Sequence, residues 1–179
     1  MKEFCAEGGL TNPKCYKVEN FDFNSEENIF DILLDVFKSE LPAKMADILD
    51  CQNKPMIIHE EHIDLLPSEG TPRFELILNP FGDIPTYSEA LNYREVEYTF
   101  ELLLTVANQV ARCVTWELLR FKNAVESLLI GAEFQIDGYN SVYIEPKGFR
   151  YFVPEVDGGN YRRQGAYRFT VTVTQYRTN

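Results

Sequence analysis

The stretch that decides the fold reads REVEYTFELLLTVANQVARCVTWELLRFKNAVESLLIG and covers residues 94–131. In its first half, apolar and polar side chains alternate. Because successive side chains of a strand point to opposite faces, this alternation predicts a strand over residues 94–106 with one buried face. The residues predicted to be buried are Val96, Tyr98, Phe100, Leu102, Leu104 and Val106.

The second half of the stretch changes to the period of a helix. Apolar residues recur at intervals of three and four over residues 110–130, which is the spacing of one helix face. Gly131 comes after them, where a helix often ends on a left-handed residue. The predicted stripe consists of Val110, Val114, Leu118, Phe121, Val125 and Leu128. A strand that runs directly into a helix indicates an α+β domain.

The flanking sequence predicts the rest of this domain. Asn24 with Glu27 is typical of a capping box and begins a helix, which Pro42 interrupts before a second short helix ending near Leu49. Further strands are predicted over residues 56–58, 74–78, 134–136, 139–144, 149–153 and 167–176. Hairpin-type connections favour a mostly antiparallel sheet with helices packed on one face.

Two segments have no regular pattern. Residues 1–23 contain Gly8-Gly9 and Asn12-Pro13 without periodicity, which predicts an extended arm ahead of a single domain over 24–179. Asn79 to Asn92 contains two prolines and a glycine, and we interpret it as a loop. A loop of that length in a compact domain tends to have a function.

Charge is distributed unevenly along the chain. The net charge is −11; residues 1–100 carry 20 acids and 8 bases, whereas residues 101–179 carry 8 acids and 9 bases. A general nucleic-acid binder needs a basic face, which this sum does not provide. The acidic half is typical of a solvated surface; the alternatives are a surface that repels DNA or one that meets a basic partner.

Nothing in the sequence indicates secretion or a membrane span. The first 20 residues lack the apolar segment of a signal peptide, and no apolar run approaches the roughly 20 residues that a bilayer requires. Cys5, Cys15, Cys51 and Cys113 lack metal-ligand spacing. We expect an intracellular protein with free thiols, although a Cys5–Cys15 bridge stays open.

The candidates for catalysis are weak. His59-Glu60-Glu61-His62 lacks the spacing of a zinc protease helix, and we interpret it as a polar strand end. Asp157-Gly158-Gly159-Asn160, followed by Arg162 and Arg163, suggests anion binding; a surface turn with two solvated arginines is favoured instead. No serine or cysteine lies in a nucleophile-elbow pattern. We therefore expect no catalytic residue, metal or cofactor.

The strongest candidate for function is a surface of the predicted helix. Trp116 lies about 160° from the centre of the apolar stripe, and Leu119 lies on the same outer side among Arg112, Asn123 and Glu126. Tryptophan and arginine are enriched at protein interfaces. The alternative is that another element, such as the first helix, covers this face. The candidate interface residues are Trp116, Leu119, Arg112, Asn123, Phe81, Tyr87, Tyr161, Arg162 and Arg163.

The order of elements over residues 24–177 resembles a family of phage proteins. The N-terminal helix, the strands at 56–58, 74–78 and 95–104, the helix carrying Trp116-Glu117-Leu118-Leu119, and the closing strand at 168–173 are similar to those of tail terminator, or tail-completion, proteins of long-tailed bacteriophages. The arm at 1–23 and the segment 132–165 are longer than in a minimal member. A related neck or head–tail joining role therefore stays open.

The resemblance implies a structural virion protein that performs no reaction. Members form hexameric rings that cap the head-proximal end of the tail tube and give the head a docking surface. Such a subunit would contact itself, the tail tube protein and neck or connector proteins, and DNA would pass through the lumen without specific binding. Trp116 with Leu119 would supply one subunit contact and the 79–92 segment the other.

Two further hypotheses compete with this one. The chain could be a small adaptor or interaction module outside any phage, which would be monomeric or dimeric. It could also be an enzyme or ligand-binding protein with an unrecognised pocket, which a ligand would stabilise against heat.

Overall fold

The computed structural model describes residues 3–4, 16–17, 25–47, 49, 55–59, 73–88, 93–130, 141–157 and 159–176. The strands are β1 (Glu3–Phe4), β2 (Tyr16–Lys17), β3 (Met56–His59), β4 (Arg73–Ser88), β5 (Tyr93–Asn108), β6 (Ser141–Tyr151), β7 (Glu155–Asp157) and β8 (Asn160–Tyr176). The two long helices are α1 (Ser25–Lys44) and α2 (Ala111–Leu129).

The main sheet has six strands and is built around β5. Its order is β3-β4-β5-β8-β6, and β7 pairs with β8 beyond the end of β6. Only β3 runs parallel to its neighbour; the other described pairs are antiparallel. The prediction of an α+β fold with a mostly antiparallel sheet is confirmed. Within the predicted arm, β1 and β2 pair with each other.

The core lies between this sheet and the helices. All six residues predicted as the inward face of β5, from Val96 to Val106, are at most 3% exposed. The ring of Phe100 stacks on Phe169 of β8 at 5.7 Å, and Phe74 of β4 meets Phe121 of α2 edge-on at 5.5 Å. The even-numbered face of β5 is therefore the face that the helices cover.

Polar contacts tie a helix to each end of β5. The buried Ser25 hydroxyl at the start of α1 hydrogen-bonds the Tyr98 hydroxyl. At the other end, the Asn108 amide donates to Oε1 of Glu117 in α2 at 2.8 Å, and its oxygen accepts from the Val110 N–H at 3.0 Å. Because Tyr98 and Asn108 share a parity, both contacts lie on one face of the sheet.

Two β-bulges lie at the same level of the sheet. The register shifts in β4 between Pro80 and Gly82, and in β6 between Pro146 and Gly148. Pro80 pairs with Phe100, Phe100 with Phe169, and Phe169 with Pro146, so the bulges flank the β5–β8 pair in one row. A bulge bends its strand and increases the local twist.

Three details of the prediction are wrong. Residues 79–88 are part of β4 and not a loop. Their Pro80 and Pro85 are tolerated because β3 pairs only with Phe74–Ile77, so this half of β4 lies at the edge of the sheet formed by the described strands. Helix α1 continues through Pro42 to Lys44, with Leu41 and Met45 fully buried beside it. Val110 has extended backbone before α2, and its side chain is exposed.

Candidate interaction surfaces

One exposed surface, the helix patch, consists of Arg112, Trp116, Leu119 and Asn123 on the outer side of α2. Trp116 is 51% exposed and Leu119 is 41% exposed, and the two polar residues are exposed beside them. At 100° per residue these four side chains lie within about 60° of one another, opposite the buried stripe. The four helix residues predicted as interface candidates therefore share one free surface.

The neighbours of α2 explain why this surface stays open. On one flank, Arg120 forms an ion pair with Asp47 beyond the end of α1 and lies over the Trp116 ring at 5.4 Å. On the other flank, Thr115 accepts a hydrogen bond from Arg163 of β8, and Lys122 lies over the Phe149 ring at 5.9 Å. Helix α2 is thus held from both sides, and α1 does not cover Trp116.

A second exposed surface, the sheet patch, consists of Phe81, Ile84, Glu97 and Tyr143. Ile84 pairs with Glu97, Glu97 with Thr172, and Thr172 with Tyr143, so one row crosses four strands on the odd-numbered face of β5. Phe81, Ile84 and Tyr143 are 58%, 64% and 63% exposed. Phe81 is the extra residue of the β4 bulge, and the Arg168 guanidinium lies 4.0 Å from its ring centroid.

The sequence-based candidates omit Ile84, Glu97 and Tyr143. Ile84 escapes prediction because the prolines and glycine of residues 79–92 indicate a loop, in which no face can be assigned. Once the bulge at Pro80/Gly82 is known, the period-two pattern resumes and places Ile84 opposite Glu97. The strict alternation of β5 is the signal that could have placed Glu97 on the outer face.

Three other candidates lie inside the fold, so the prediction of two solvated arginines is wrong. Arg162 is only 8% exposed and lies 4.0 Å from the Glu155 carboxylate. Arg163 is half-buried between Thr115 and the Tyr151 ring. Tyr161 packs against the core. The reason is that β8 begins at Asn160, directly after the turn at Gly159 (φ +85°), and draws both arginines into the sheet. The backbone of Tyr87 belongs to β4.

The described residues offer little for catalysis. No group of histidine, cysteine, aspartate or glutamate residues among them could hold a metal, and His59 ends β3 as a polar strand end. A cavity of about 450 Å³ on the outer sheet face is lined by charged and aromatic residues, with no serine, cysteine or histidine. Two of its cations are paired with carboxylates, Arg168 with Glu101 at 2.9 Å and Lys147 with Glu145 at 2.7 Å, and the third, Arg150, lies over the Phe152 ring at 4.8 Å. The hydrogen bond to Glu145 raises the pKa of Lys147.

The sequence matches no protein-family model and no curated protein. Within the part of the chain that the structure describes, neither helix is long and apolar enough to cross a membrane.

Proposed function

We propose that this chain is a structural subunit of a long-tailed phage virion, a tail terminator or tail-completion protein that forms a ring at the head-proximal end of the tail tube. The observation that carries the proposal is the presence of two dissimilar exposed apolar surfaces on opposite sides of one sheet. Ring subunits associate head to tail, which requires two different patches on each copy. The order of helices and strands, which resembles that of tail terminators, supports the same function.

The acidic excess suits the lumen of such a ring. Exposed carboxylates at Glu27, Asp31 and Asp35 succeed one another at intervals of four along α1, so they form one stripe. A negatively charged wall repels DNA phosphates and lets the duplex pass without sticking. We infer that this stripe faces the channel, with the tail tube and the neck or connector proteins bound at the two rims of the ring.

A capping assay tests the proposal directly. Tail tube protein of the same phage is polymerised with and without this chain, and tube lengths are measured by negative-stain electron microscopy. We expect six-fold rings of the free protein, and tubes that stop growing and carry one ring at one end. Tubes of unchanged length without end density would contradict the proposal and favour an adaptor protein.

The stripe has its own test. Replacing Glu27, Asp31 and Asp35 together with Gln, Asn and Asn removes three charges without removing apolar contacts. Rings should form normally, whereas DNA passage and infectivity should fall because phosphates then bind more readily to nearby cations. Unchanged infectivity of phage that carry this triple variant would show that the stripe does not face the DNA.

A further inference from the structure

The helix patch and the sheet patch carry opposite charges. On α2, Glu117 is fully buried and Glu126 is paired with Lys122 at 2.8 Å, so neither carboxylate contributes free charge to the outer side. Arg112, which is exposed, sets the sign of the helix patch. In a chain of net charge −11, this patch is a local positive region.

The sheet patch is negative by the same reasoning. Its neighbouring cations, Arg168 and Lys147, are each paired with a carboxylate. Glu95 and Glu97, which lie two residues apart on the outer face of β5, form no ion pair with any residue that the structure describes. Lys147 also interacts electrostatically with Glu97, but it is paired with Glu145. Because Glu95, Glu97, Glu101 and Glu145 outnumber the two cations, the exposed Phe81, Ile84 and Tyr143 surround a net acidic centre.

Strand addition is a poor explanation for contacts at this part of the molecule. Among the described strands, the half of β4 beyond β3 and the outer side of β6 have no neighbour; the first contains Pro80 and Pro85, and the second contains Pro146 and a bulge. Proline and bulges are devices that prevent edge-to-edge pairing because they interrupt the row of backbone donors. A partner at the sheet patch must therefore bind through side chains.

We propose that the partner of each patch is a second copy of this chain, with the helix patch of one copy docked on the sheet patch of the next. Trp116 and Leu119 would pack against Ile84 and Tyr143, and Arg112 would lie near Glu97. Because the two patches lie on opposite sides of the sheet, the contact is head to tail. In a pair of copies, one helix patch and one sheet patch therefore stay unoccupied and can bind further copies. This inference rests on the proposed ring and specifies its subunit contact.

Single substitutions test each patch separately. Trp116→Ala and Ile84→Asp should each weaken self-association at least about tenfold. Trp116→Ala removes an aromatic side chain from the contact, and Ile84→Asp buries a second negative charge beside Glu97. Ile130→Asp is the matched control: Ile130 is 59% exposed at the far end of α2, outside both patches, and its replacement should change nothing. Sedimentation velocity measures association, and thermal melting of the isolated chains checks that folding is preserved.

Mixing the two variants separates a head-to-tail contact from a symmetric one. The Trp116→Ala chain keeps an intact sheet patch, and the Ile84→Asp chain keeps an intact helix patch. Each should be monomeric alone, whereas an equal mixture should form dimers with one copy of each and stop there. As a second route, Arg112→Glu and Glu97→Arg should each impair assembly, and the two together in one chain should restore it.

The outcomes distinguish this inference from the proposed function. If the Ile84→Asp variant still forms rings, or if the mixture of the two variants stays monomeric while the wild type forms rings, the docking geometry is overturned and the proposed ring is not. A wild-type chain that stays monomeric would overturn both proposals. Failure of the charge-reversed double variant to assemble would exclude the pairing of Arg112 with Glu97.

Discussion

At the scale of single residues, Tyr167 stands out because its ring is fully buried and its hydroxyl has no hydrogen-bond partner among the described residues. Burial, with a smaller effect of Glu126, raises the pKa of Tyr167 to about 12. A buried hydroxyl without a partner contributes a desolvation cost and no compensating bond. The hydroxyl of Tyr167 therefore makes the folded protein less stable than a phenylalanine ring at the same position would.

Tyr167→Phe should leave the free energy of unfolding unchanged or raise it by about 1 kcal/mol at neutral pH. In the wild type, the pKa of Tyr167 is near 10 in the unfolded state and about 12 in the folded state. The unfolded state therefore releases the proton first, and the free energy of unfolding falls as the pH rises from 10 to about 12. The variant should lack this part of the alkaline loss in urea titrations. A loss of about 2 kcal/mol at neutral pH would instead reveal a hydrogen bond to the hydroxyl.

Glu26 gives a second prediction at this scale. Partial burial and, secondarily, the charge of Asp83 raise the pKa of Glu26. A raised carboxyl pKa costs stability at neutral pH, and this cost is relieved as the pH falls through the folded-state pKa. Asp83→Asn should lower the pKa of Glu26 in a carbon-detected NMR titration. An unchanged pKa would mean that burial alone causes the shift.

At the scale of elements, the packing of β6 on β8 depends on one glycine. A Cβ atom on Gly165 would overlap the ring of Phe149, which packs directly over the glycine backbone between Tyr151 and Tyr167. Gly165→Ala should therefore cost about 1–3 kcal/mol, as overpacking usually does. The same substitution in a Phe149→Ala background should cost less, because the obstructing ring is gone. Additive costs in this double-mutant cycle, measured by urea denaturation, would contradict the contact.

The elements also show where prediction from sequence succeeds. Strand β5 and helix α2 are predictable because the apolar residues of each recur at the period of its buried face, from Val96 to Val106 in the strand and from Val114 to Val125 in the helix. Residues 79–88 are not, because proline and glycine signal a loop unless the segment is known to be an edge strand with a bulge. Which strand lies at an edge depends on topology, which no local window contains.

For the candidate site, too, the local sequence predicts some features, whereas others depend on the topology of the fold. From the sequence, Trp116 is equally consistent with an exposed interface and with a face that another element covers. A helical wheel shows which side is opposite the core but not whether another element packs on it. The sequence pattern places Arg162 and Arg163 wrongly because β8 already begins at Asn160, so both arginines lie within the strand and not in the turn. The sheet patch needs the register across four strands, which appears only in the fold.

At the scale of the whole molecule, the proposed ring depends on self-association through two different surfaces. Trp116→Ala should reduce assembly far more than folding, because the side chain is half-exposed and contributes little to the core. Its melting temperature should stay close to that of the wild type under conditions where both are monomeric. A variant that melts early and still assembles would place Trp116 in the core instead.

Native mass spectrometry of the purified wild-type chain tests the central claim most directly. We predict a dominant species with six times the mass of the single 20.7 kDa chain, which Trp116→Ala and Ile84→Asp convert to monomer. A wild-type spectrum that contains only the monomer at high protein concentration, with and without the tail tube protein, would contradict the proposed ring.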